Sequence, residues 1–194
     1  MNADIILAGV GGQGILSVAE IMADVAVLEE NEVKYCETHG MAQRGGSVMA
    51  HLRIADHPIH SDLIPRGVAD MILSLEPLEA LRYLEFLGPT GMIVTAAECV
   101  HNFDNYPDEE RLLAHLHALP QTCVVEAETL ARRAGSTLAA NMVMAGAASR
   151  HLALDPALIE TRIAQYFARK GPRVVEVNLS AFRLGREVPS SVAA

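Results

Sequence analysis

Asp4-Ile5-Ile6-Leu7-Ala8-Gly9-Val10-Gly11-Gly12-Gln13-Gly14, followed by Ile15-Leu16-Ser17-Val18-Ala19, is the stretch that decides the fold. Ile5 to Ala8 has the length and unbroken apolar character of a strand buried on both faces. Glycines follow at once. Ile15, Val18, Ala19, Ile21, Met22 and Val25 then recur at helical spacing, which predicts a helix from Ile15 to Leu28. Gly9, Gly11 and Gly14 complete a G-x-G-x-x-G pattern between strand and helix, the context in which backbone amides at a helix N-terminus can receive an anion. A tight turn that packs closely, or a contact surface for a partner, would also demand these glycines, and the three readings stay open.

Working outward, Val33 to Cys36 is short and β-prone, and it lies parallel to the first strand if the helix between them is a right-handed crossover. Glu37 then falls where a dinucleotide fold places its ribose-binding carboxylate. On these residues alone a nicotinamide- or flavin-binding domain is the enzyme reading. Against it, 194 residues leave little room for a substrate domain, and no compact acid–base constellation is visible. Glu37 to Ser47 is polar, carries three glycines and is too irregular for a simple hairpin. Val48 to Ile54 alternates as a strand with one buried face.

Further strands are predicted at 71–75, 91–96 and 122–125. Helices are predicted from Glu76-Pro77 to near Gly88-Pro89, then at 108–119, 127–134, 138–152 and 156–168. Residues 174–186 read as strand then helix, or helix throughout. The expectation is one α/β domain over 1–194, three-layered and Rossmann-like, with a mostly parallel sheet, a helical C-terminal third and a flexible tail from about 187.

A composition of 51% hydrophobic residues supplies a full core for one domain of this length. The net charge of −9 and the absence of a basic run exclude recognition of a nucleic-acid backbone. Three widely spaced cysteines form neither a disulfide framework nor a cluster-binding array, and His51, His57 and His60 lack metal-ligand spacing. No signal peptide or spanning segment is read in Met1–Gly12, so no membrane association and a cytoplasmic location are expected.

The glycine turn together with Glu37-Thr38-His39-Gly40-Met41-Ala42-Gln43-Arg44-Gly45-Gly46-Ser47-Val48 resembles the gamma-type domain of the 2-oxoacid:ferredoxin oxidoreductases. Within that family the second segment is most similar to the beta subunit of the indolepyruvate enzyme. Ala69-Asp70, Glu76-Pro77-Leu78-Glu79-Ala80 and Asn141 are further echoes. The resemblance implies a small subunit, inactive alone, of a complex that oxidatively decarboxylates a 2-oxoacid with coenzyme A and passes electrons to ferredoxin. It places thiamine diphosphate, Mg2+ and [4Fe-4S] clusters on a large alpha partner subunit, so this chain alone is expected to bind no cofactor and no metal.

The expected ligand- or interface-binding residues are Gly11, Gly12, Gln13, Gly14, Glu37, His39, Gln43, Arg44, Gly45, Gly46 and Ser47, with no catalytic residue. Gln13 could set its amide against a phosphate or a partner's backbone, or simply be hydrated. Arg44 offers a bidentate donor for a phosphate, or one half of an interfacial ion pair. Glu37 and His39 are read as fixing their loop by hydrogen bonds, because nothing beside them supplies a nucleophile.

Overall fold

The computed structural model describes residues 1–39 and 45–189, with only the backbone of His39. The anticipated three layers are present. Among the described residues the strands are β1 (Ala3–Val10), β2 (Glu32–His39), β3 (Ser47–Ala55), β4 (Ala69–Ser74), β5 (Leu87–Ala96) and β6 (Thr122–Val125), and they form one sheet in the order β2-β3-β1-β4-β5-β6. The pairs β1–β4, β4–β5 and β5–β6 are parallel, whereas β3 is antiparallel to both β1 and β2.

Side chains alternate across the sheet as the strand period requires. Ile6, Ile72 and Ile93 meet Ala80 and Leu116 of α2 (Pro77–Arg82) and α3 (Glu109–Ala118) on one face. Ile5, Leu7, Leu73 and Val94 face the opposite layer. That layer holds α1 (Ile15–Leu28), α4 (Ala127–Ala134), α5 (Ala140–Ser149), α6 (Pro156–Phe167) and α7 (Pro172–Glu187). Residues 174–186 are therefore helix throughout, with Pro172 in the first turn of α7.

One sequence expectation holds in direction only, and two are corrected. β2 runs parallel to β1 as expected but does not pair with it, because β3 lies between them. The start of the segment read as too irregular for a simple hairpin extends β2: Glu37, Thr38 and His39 pair with Ala50, Met49 and Val48, while 40–44 lie outside the described residues. A sheet-edge strand is wetted on one side and needs no apolar alternation, so its polar end was not recognisable. Third, Gly88 and Pro89 lie inside β5, after a short 3-10 turn at Leu84–Phe86, rather than ending a helix. Glycine is needed here for close passage along β4, since a Cβ on Gly91 would stand 2.6 Å from Ala69 O. The predicted tail from about 187 begins with Glu187, the last residue of α7, and 190–194 lie outside the described residues.

His51, on β3, is 3% exposed; its Nδ1 accepts the Ile64 N–H at 3.1 Å and its ring meets Phe86 edge-on at 5.6 Å. Burial, helped by the Arg53 guanidinium, holds its pKa below the ordinary 6.5. The unfolded chain therefore takes up this proton first, so the His51 contribution to stability is complete above pH 6.5 and is lost as pH falls through the folded-state value. An NMR titration of the ring in the folded chain should give a midpoint below 6.5; one at or above it contradicts this environment.

Candidate functional site

β1 runs out at Val10, and the chain turns through Gly11–Gly14 into α1. Gly14 is the N-cap of α1 at φ 84°, and a Cβ there would come within 2.6 Å of the Asn141 side chain. Both the left-handed backbone and the close approach require glycine. No side chain among the described residues caps the helix, so its first amides carry the partial positive charge of a helix N-terminus without a capping acceptor.

The second glycine corner sits beside the first, because β3 enters the sheet at the end where β1 leaves it. Gly11 N–H donates to Gly46 O at 2.8 Å, and Gly45 N–H donates to Gly11 O at 3.1 Å. Asn102 donates its amide to Gly45 O at 2.7 Å. Two turns far apart in sequence thus form one surface.

Gln13 spans the place where the chain connections change face, between β1 and β4. Its Oε1 accepts Val10 N–H at 2.7 Å and its Nε2 donates to Leu75 O at 2.8 Å. The side-chain amide that could have met a phosphate or a partner thus joins the two strand ends internally. Open sheets of this kind bind ligands outside the carboxyl ends of their strands at such a switch point.

Ser47 anchors the second corner from below. Its hydroxyl donates to Glu79 Oε2 at 2.5 Å and lies 2.9 Å from Tyr83 Oη. Glu79 is 2% exposed and otherwise pairs with Arg82 Nε at 3.3 Å. Removing the hydroxyl leaves a buried carboxylate oxygen short of a donor. Ser47→Ala should therefore cost about 2 kcal/mol in a denaturation experiment, a penalty in the range for an unsatisfied buried partner; a cost within about 0.3 kcal/mol of zero contradicts it.

Glu76, 1% exposed, caps α2 by accepting Glu79 N–H at 2.8 Å, and it also accepts from Val100 N–H and the Tyr106 hydroxyl. Burial raises the Glu76 carboxyl, and burial with the Glu76 hydrogen bond raises the Tyr106 phenol. Cys99 in the same loop is pushed up by burial, which keeps its thiol protonated and a poor nucleophile. These groups brace the loop that carries Asn102 against the second corner.

The remaining expected site residues divide. Glu37 is exposed, accepts the Tyr35 hydroxyl at 2.9 Å, and lines a cleft of about 460 Å3 with Val10, Gly11, Gly12, Gly14 and Ile15. Its strand is not the neighbour of β1, however, and at about 4.8 Å per strand it stands roughly 10 Å away, off the position of a ribose carboxylate. The His39 backbone pairs with Val48. Gln43 and Arg44 lie outside the described residues.

Reading the sequence missed four side chains around the corners and gave no role to a fifth. Lys170 and Arg173, both exposed, line a cleft of about 530 Å3 with Gly12, Gln13 and Gly14, so cations face the amino end of α1. Leu138 lines the same cleft at 91% exposure, and Leu16 on α1 is 42% exposed. Asn141, noted only as an echo, donates Nδ2 to Gly14 O at 3.3 Å from 127 residues away. No local pattern could have marked them.

Comparison with known proteins agrees with this fold. The family model described as pyruvate ferredoxin/flavodoxin oxidoreductase matches residues 4–188. The chain is 35% identical over 194 residues to indolepyruvate oxidoreductase subunit IorB of Archaeoglobus fulgidus, covering 95% of this chain and 94% of that one. It is 35% identical to the IorB subunit of Thermococcus kodakarensis, covering 94% and 93%. Among solved structures, pyruvate oxidoreductase subunit PORC of Thermotoga maritima superposes with a TM-score of 0.71 at 23% identity, over 96% of both chains. The 2-oxoglutarate:ferredoxin oxidoreductase of Magnetococcus marinus superposes with a TM-score of 0.76 at 20% identity; the match covers 96% of this chain but only 31% of that longer one. The chain therefore belongs to the pyruvate ferredoxin/flavodoxin oxidoreductase family.

Proposed function

We propose that this chain is the small subunit of an indolepyruvate-type 2-oxoacid:ferredoxin oxidoreductase, and that its paired glycine corners face the large subunit and the coenzyme A that reacts there. The likeness to IorB subunits over nearly the full length of both chains supports the subunit and its aryl-pyruvate substrate class. The observation that carries the site is the mutual bonding of the two corners, Gly11 with Gly45 and Gly46, beside the uncapped amino end of α1. In this reading thiamine diphosphate, Mg2+ and [4Fe-4S] clusters reside on the large alpha subunit, which also passes electrons to ferredoxin. Coenzyme A would supply an acyl-accepting thiol. On this chain, Lys170, Arg173 and the amides of the first turn of α1 suit its phosphates, because they combine cations with oriented N–H donors.

Coexpression with the large subunit tests the proposal. Ferredoxin reduction by indolepyruvate should need both chains and coenzyme A, and neither chain alone should turn over. A large subunit equally active without this chain would refute it. So would a stoichiometric, tight calorimetric titration of the isolated chain with NAD or FAD, since a redox nucleotide held across the corners is the competing use of the same glycines.

A further inference from the structure

We infer that α7 carries a self-association face, on which two copies of this chain pair antiparallel across a two-fold axis, with Glu176 of each opposite Arg183 of the other. The face is distinct from the side of α7 that meets the glycine corners. Arg173, Val174, Val177 and Asn178 line the cleft beside those corners, whereas Val175, Glu176, Leu179, Ser180, Arg183 and Leu184 line a separate open groove of about 750 Å3.

The occupant follows from how charge is placed along that groove. Seven residues of α-helix turn through nearly two full turns, ending within about 20° of the start and about 10 Å further on, so Glu176 and Arg183 share one line down the face. α7 runs from Pro172 to Glu187, and each of the two lies four residues inside one end. A two-fold axis at the helix midpoint, between Leu179 and Ser180, therefore sets each Glu176 against Arg183 of the second copy. Acid meets base twice. A closed two-fold interface requires a surface complementary to itself in this way.

Arg183 is already positioned for a second carboxylate. Its Nε and Nη2 donate to the two oxygens of Glu160 at 3.0 and 2.5 Å, a fork that fixes the guanidinium, and its Nη1 makes no hydrogen bond among the described residues. Glu176 is exposed and makes no ion pair among the described residues. Arginine offers five donors, so one guanidinium can hold Glu160 of its own chain and Glu176 of the second copy together. Val175 and Leu179 on one flank of the charged line, and Leu184 on the other, are only part-buried, and the small Ser180 at the axis lets the helices close. The net charge of −9 repels two copies at a distance, but beyond about 8 Å it is screened at physiological salt, so the contacts at the face decide. A dimer built this way leaves the glycine corners free, and it stands or falls independently of assembly with the large subunit.

Sedimentation velocity of the isolated full chain, over a concentration series reaching hundreds of micromolar, tests the face. A reversible dimer is expected. Glu176→Arg and Arg183→Glu should each weaken it at least tenfold, because each alone sets like charges together twice. An equimolar mixture of the two variants should recover a mixed dimer, since one chain then presents two bases and the other two acids; misfolding is not rescued by mixing. If Arg183→Glu, which also loses the Glu160 bridge, does not fold, Ser180→Cys beside the axis decides instead: mild oxidation should cross-link it, and should fail to do so when Glu176→Arg is added. A monomer at every concentration, undiminished dimerisation by either folded variant, a mixture that stays monomeric, or no cross-link through Ser180→Cys would each overturn the face. So would protection of α7 by the large subunit in a chain that is itself monomeric, which assigns the groove to that subunit.

Discussion

Gly185→Ala should destabilise the chain by about 3 kcal/mol. α5 and α7 cross at Gly146 and Gly185, where a Cβ on Gly185 would overlap Val143 O and one on Gly146 would overlap Phe182 O. The obstacles are backbone atoms, so relief requires the helices to separate. Alanine contributes up to about 1 kcal/mol of helix propensity in compensation, while overpacking a rigid core typically costs 1–3 kcal/mol and sometimes more. Parting the helices would also loosen Met142, Val143, Ala181 and Phe182, all fully buried at the crossing, which places the net loss near the top of that range. At this chain length a loss of about 3 kcal/mol lowers the melting temperature by roughly 6–12 °C. A melting temperature within about 2 °C of wild type would show that the crossing is looser than described.

Leu138→Asp should weaken assembly with the large subunit by about 100-fold while leaving the isolated chain as stable as before. Leu138 is 91% exposed on a 3-10 turn that lines both the basic cleft and a smaller cavity beside it, next to Gly12 and Gln13. An isolated leucine in this position loses nothing of the fold when replaced, because it buries almost nothing. In an assembled complex the same side chain would be buried at the centre of the contact, where truncating an anchor commonly costs 2 kcal/mol or more and adding a desolvated charge costs further. Titration of large subunit into the variant, followed by light scattering or interferometry, gives the affinity; thermal denaturation gives the stability. An unchanged affinity would remove Leu138 from the interface, and a collapsed melting temperature would contradict its exposure.

The parts of the fold visible in the sequence are those set by neighbours in the chain. Ile5–Ala8, the glycines and the helical spacing from Ile15 specify strand, turn and helix within about 25 residues, and β1 and α1 stand where expected. The late helices were legible for the same reason. Met142, Met144, Leu152 and Leu154 read as core or interface by residue type; three are core, and Leu152 is partly buried against it. Strand order was not legible, since the insertion of β3 between β1 and β2 depends on pairing over more than 40 residues, such as Ala3 with Ile54. Nor was the extent of β2, whose polar end pairs at the sheet edge.

The candidate site divides along the same line. The two glycine segments could be singled out because tight turns and a polar, glycine-rich run leave a local signature. Their mutual bonding through Gly11, Gly45 and Gly46 is a long-range fact. So is the use of the Gln13 amide to hold β1 to β4, which makes it a residue that positions the turn. Asn141, Lys170 and Arg173 reach the corners only through the packing of the helical C-terminal third.

The most direct measurement on the central claim is amide hydrogen exchange on this chain, alone and bound to its large subunit. Strong protection of Gly11 to Ser17, Gly45 to Ser47 and Thr137 to Ala139 on binding is the predicted result. Unaltered exchange in all three segments, with protection confined to the groove of about 750 Å3 along α7 near Val175, Leu179 and Arg183, would contradict it.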